Sequence, residues 1–130
     1  TDRMLLQLGG SLIAIRVGAG LVAVRKLGGK PALKSESAVA QAANEVEDGF
    51  ETSRSSISRG GEAALARDPV GRIMVIRRHG NKFAGRVLTA VSQTREEVDG
   101  LVIDCGESRF GSVRLSLTDA SYWADAINRL

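Results

Sequence analysis

The chain has 130 residues, 43% hydrophobic and only 4% aromatic, with a net charge of +3. That is room for one domain with a core of Val, Ile, Leu and Ala, and it excludes a disordered chain. A single cysteine, Cys105, excludes both an internal disulfide and a zinc site built on several cysteines.

The first predicted element is an apolar run, Met4 to Val24, interrupted by one charge, Arg16, and followed at once by Arg25 and Lys26. About 20 apolar residues in a helix cross a bilayer's hydrocarbon core. As a helix, the run puts Gly10, Ala14 and Gly18 on one face, a small-residue pattern that lets membrane helices approach closely. Arg16 would then meet a partner or snorkel, since a charge at bilayer depth costs about 2.5–3.5 kcal/mol. A second reading makes the run a hairpin, 12–17 and 21–27 around Gly18-Ala19-Gly20, or a core helix. Gly9, Gly10 and Arg16 argue against a cleavable secretory signal. Gly18 to Ala23 also fits G-x-G-x-x-A, but no βαβ pattern follows it, so close packing or a turn explains it better.

Residues 27–35, with Gly28, Gly29 and Pro31, read as a linker. A helix is predicted over 36–47, capped by Ser35 or Ser37, with Ala38, Val39, Ala42, Ala43 and Val46 as its apolar stripe. Gly49 ends it and Phe50 folds back on it. From about residue 51 the period changes to two. Strands are expected at 52–58, 63–67, 73–78, 83–91, 101–104 and 112–117, with turns at Gly60-Gly61, 68–71 and 79–82. A closing helix begins after Thr118 as N-cap and buries Trp123, Ala126, Ile127 and Leu130. The fold class expected is therefore α+β. An N-terminal apolar anchor (1–26) and a linker precede a small antiparallel-sheet domain (36–130), which has one helix before it and one packed on it.

Charge alternates in blocks: 1–34 and 67–95 are basic, 35–66 and 96–130 acidic. Such alternation favours internal pairing over a nucleic-acid surface, so no nucleic-acid partner is expected. The lone Arg59-Gly60-Gly61 reads as a turn. Arg72, Arg77, Arg78, Lys82 and Arg86 form the main basic cluster. Paired strands at 73–78 and 83–91 would gather several of them at one end, where they would meet an acidic partner or lipid headgroups. His79, the only histidine, and Cys105 supply no recognisable catalytic arrangement. Asp99, Asp104 and Glu107 lack calcium-loop spacing. No catalytic residue, cofactor or metal site is predicted.

No motif identifies a family. In element order, a small antiparallel sheet closed by a Trp-bearing helix, the chain resembles PH-type domains, which implies a soluble protein-interaction domain as the second reading. The first is a non-enzymatic, single-pass accessory or assembly subunit of a larger membrane complex, with homo-oligomers possible in either case. Arg25, Lys26, Lys30 and Lys34 follow the apolar run, so its domain is expected on the cytoplasmic side; the second reading makes the whole chain cytoplasmic.

Overall fold

A computed structural model describes residues 31–130 and the strand Arg25–Lys26. The predicted membrane-helix residues Gly10, Ala14, Arg16 and Gly18 lie outside the described residues. Within them the fold is α+β, with two helices and two antiparallel sheets joined to a two-residue ladder. That ladder pairs β1 (Arg25–Lys26) with β2 (Pro31–Ala32).

Helix α1 (Glu36–Val46) begins where its sequence says it should. Ser35 is the N-cap, and its Oγ accepts from the Ala38 N–H at 3.1 Å. Ala38, Val39, Ala42 and Ala43 are buried, while Val46 is at the edge and partly exposed. Phe50 returns into the same cluster after Gly49.

The first sheet has the order β3 (Arg54–Ile57), β4 (Ala63–Arg67), β5 (Ile73–His79), β6 (Lys82–Val87), all antiparallel. Its two central strands are buried on both faces. Ala64, Ala66, Met74 and Ile76 turn toward α1, whereas Ala63, Leu65, Ile73 and Val75 turn the other way. This explains the unbroken Ile73-Met74-Val75-Ile76 run: a strand covered on both sides needs no polar alternation. The small side chains of Ala64 and Ala66 let α1 lie close to the sheet.

The second sheet, β7 (Gln93–Glu97), β8 (Gly100–Asp104), β9 (Ser112–Ser116), covers the opposite face together with α2 (Ala120–Asn128). Leu101, Ile103, Val113 and Leu115 supply its inward residues. The two sheets meet at a corner, where Ser116 N–H donates to Ser58 Oγ at 2.9 Å and Arg59 N–H to the Ser116 carbonyl at 3.1 Å.

Several details correct the sequence reading. The strand expected over 83–91 stops at Val87, because Leu88 turns into the core and a turn over 89–92 closes on the Ser92 side chain. Strand β7 has no counterpart among the strands that the sequence predicts. The N-cap of α2 is Asp119 rather than Thr118, and its carboxylate makes no capping bond. It accepts instead from Ser56 Oγ at 2.6 Å and Trp123 Nε1 at 3.2 Å. Of the predicted α2 stripe, Trp123 and Ile127 are buried with Ala124, while Ala126 is half-buried and Leu130 is 38% exposed.

Residues 31–33 are fastened to the body. Leu33 is buried in the α1-side core, and its N–H donates to the Gly61 carbonyl at 2.8 Å. Gly61 has φ +76, and a Cβ there would lie 2.7 Å from the Leu33 carbonyl oxygen. Only glycine meets both demands at that position.

Candidate interaction surface

The basic cluster is built on one hairpin. His79 pairs with Lys82 in register, so β5 and β6 are joined by the two-residue turn Gly80-Asn81. Period two then sorts the arginines. Arg77 and Arg86 share the face of Val75, and Arg78 shares the face of Met74 and Ile76. The tip carries Arg77, Arg78 and Lys82. Arg86 pairs with Val75, further along the hairpin, and Arg72 precedes β5 at its far end. Three of the five, Arg77, Arg78 and Lys82, thus gather at the tip, while Arg86 and Arg72 lie away from it.

Four of the five are engaged by the fold. Arg77 Nη1 donates to the Phe110 carbonyl at 2.6 Å, and Arg86 Nε donates to the Glu107 carboxylate at 3.0 and 3.1 Å. Both guanidiniums flank the Phe110 ring, 5.6 and 4.9 Å from its centroid. The pair clamps the 105–111 loop onto β5 and β6, and the buried aromatic ring supplies most of the hold. Arg86 and Glu107 are both about half exposed, so their ion pair itself adds at most about 1 kcal/mol. Arg78 Nη1 donates to the Pro31 carbonyl at 2.8 Å and ties β2 to the tip. Arg72 pairs with Asp68 and stands 5.1 Å over the Phe50 ring. Lys82 is exposed and makes no ion pair among the described residues.

Among the described residues, Asp68 is the carboxylate whose pKa clearly departs from its ordinary value. Burial disfavours its charge, but the side chain, backbone N–H and positive charge of Arg72, with the Val70 N–H, outweigh this and hold its pKa below the ordinary value. A carboxylate with a lowered folded pKa stabilises the fold above its unfolded value, near 3.8, and that stability disappears as pH falls through the folded value. The Asp68→Asn variant is therefore expected to be less stable than the native chain at pH 6. The gap should narrow below about pH 4 in urea unfolding. A gap independent of pH would contradict the assignment.

The other candidates serve turns and core. Asp104 accepts from the Gly106 N–H at 2.9 Å, Asp99 lies in the β7–β8 turn, and Cys105 is buried in the main core. His79 is exposed at the hairpin tip. Among the described residues, no group of three or more His, Cys, Asp or Glu side chains is placed to hold a metal ion. The Phe110 clamp escaped sequence reasoning; its only signal is a loop closed by Gly106 and Gly111, both at positive φ.

No family model matches the chain, and no curated protein or solved structure matches it either.

Proposed function

We propose that the chain is a non-enzymatic accessory or assembly module held at a membrane by residues 4–26. The observation that carries this reading is the core of the described body. Two clusters, one under α1 and one between the sheets, pack from residues 33–127, so the fold has an interior built from its own side chains. The Met4–Val24 run has the length and apolarity of a membrane span. Its connection to the body runs through Pro31, held by Arg78 beside the hairpin tip. That end also carries exposed Lys82, and the neighbouring 58–61 turn carries exposed Arg59. Positive charge where a span meets its domain suits a cytoplasmic leaflet of anionic lipids. The Gly10, Ala14 and Gly18 face, and Arg16 on the opposite side of the same helix, would contact other membrane helices.

Carbonate washing of membranes from cells expressing the full chain tests the anchor. The chain is expected in the pellet; release into the supernatant would overturn the proposal. A soluble interaction domain is the second reading. Its support is antiparallel sheet closed by the Trp123-bearing helix α2, the element order on which the PH-type resemblance rests.

A further inference from the structure

A cleft of about 330 Å³ opens between the end of the first sheet and α2, away from the basic hairpin tip. Arg67, at the end of β4, and Tyr122, on α2, meet there: Arg67 Nη1 donates to the Tyr122 hydroxyl at 3.0 Å. The other side of the arrangement is also fixed. The Arg54 guanidinium lies 3.6 Å from the Tyr122 ring centroid, so the ring cannot swing away without losing that contact. Arg129, the C-cap of α2, adds a second cation to the lining, and Asp125 one turn earlier adds an anion.

Arg67 is under-satisfied. It is half-buried, its Nε is buried without a hydrogen-bond partner, and no carboxylate of the described residues lies within 4 Å of it. A partly desolvated guanidinium with no counter-ion is costly unless something else completes it. The Tyr122 hydroxyl accepts from Arg67, which leaves its own hydrogen free to donate in turn. Ile73, Ala126 and Leu130 form the apolar part of the wall.

We propose that this cleft binds a small organic carboxylate. The carboxylate would sit against Arg67, the Tyr122 hydroxyl and Arg129, with an apolar body on Ile73, Ala126 and Leu130. Arg67 and Arg129 supply the positive charge, and the apolar wall of Ile73, Ala126 and Leu130 suits an organic carboxylate better than free phosphate. Guanidinium and hydroxyl donors converging on one anion give charge-assisted hydrogen bonds in a partly water-excluded site. The proposal is independent of how residues 4–26 are held.

Calorimetric titration of the full chain with benzoate, and separately with inorganic phosphate, tests it. Benzoate is expected to saturate at about 1 mM, with phosphate at least tenfold weaker. Tyr122→Phe removes one hydroxyl and keeps the ring, and Arg129→Gln alters an exposed side chain. Each is expected to weaken benzoate about tenfold while the thermal midpoint stays within a few degrees of native. The proposal is overturned if benzoate fails to saturate by about 10 mM, if phosphate binds as well as benzoate, or if both variants bind benzoate like the native chain.

Discussion

Trp123→Ala is expected to lower the unfolding free energy by about 3–5 kcal/mol, the usual cost of deleting a buried indole. For a domain stable by about 5–15 kcal/mol, that is from about a fifth of the stability to nearly all of it. Trp123 is fully buried between α2 and the two sheets. Its Nε1 donates to Ser56 Oγ at 2.9 Å and to Asp119 at 3.2 Å, and Tyr122 packs edge-on at 5.1 Å. The substitution removes the largest core side chain and strips two partly buried acceptors of a donor. Trp123→Phe separates the two effects. It keeps most of the apolar volume, and Ser56 and Asp119 still bond each other at 2.6 Å, so a loss of about 1–2 kcal/mol is expected. Urea unfolding followed by circular dichroism measures both. Equal losses for the two variants would mean that the hydrogen bonds, not the ring, hold α2 in place.

Gly100→Ala is expected to cost about 3 kcal/mol or more, at the upper end of overpacking penalties. Gly100 opens β8, pairs with Glu97 on one side and Ser116 on the other, and is buried. A Cβ there would lie 2.0 Å from the Leu115 carbonyl oxygen and 3.3 Å from the Ser116 Cα. Both are backbone atoms of a central ladder, so the collision can be relieved only by moving β9. Gly80→Ala provides the comparison. Gly80 has φ +65 but nothing within 4 Å of a built Cβ, so only the left-handed conformation is penalised, at about 1–2 kcal/mol. Thermal unfolding of the pair tests the steric argument, which fails if Gly100→Ala is no worse than Gly80→Ala.

Much of this architecture is legible in the sequence because the residues obey one period at a time. Ser35, the Ala38-Val39-Ala42-Ala43 stripe and Gly49 mark α1 within a residue of its ends. The alternation Val113, Leu115 against Ser112, Arg114 marks β9 and its buried face. Strand β7, Gln-Thr-Arg-Glu-Glu, escapes because it carries no apolar residue; it exists by pairing with β8 and by lying under α2. Its one sequence signal is the Val98-Asp99-Gly100 turn. The role of Asp119 escapes for another reason. An acidic residue before a helix reads as a cap, and only the tertiary approach of β3 reveals that its carboxylate serves Ser56 and Trp123 instead.

The basic cluster shows the limit more clearly. Composition and spacing place five cations near one hairpin and predict the pairing of β5 with β6. What the sequence does not carry is their occupation. Arg77 and Arg86 close on Phe110, 33 and 24 residues away along the chain, and Arg78 reaches back to Pro31. The same partial legibility applies to the cleft between the first sheet and α2, since Arg67 and Tyr122 stand 55 residues apart and nothing local joins them.

The central claim is that residues 25–130 fold on a core of their own, separable from the apolar run before them. Trp123 is the only tryptophan in the chain and lies at the middle of that core, so its emission reports the claim directly. A chain beginning at Arg25 is expected to show blue-shifted Trp123 emission and a single cooperative urea transition in which fluorescence and circular dichroism coincide. Red-shifted emission with no cooperative transition would contradict the account, because it would mean that the core of 25–130 is completed by residues 1–24.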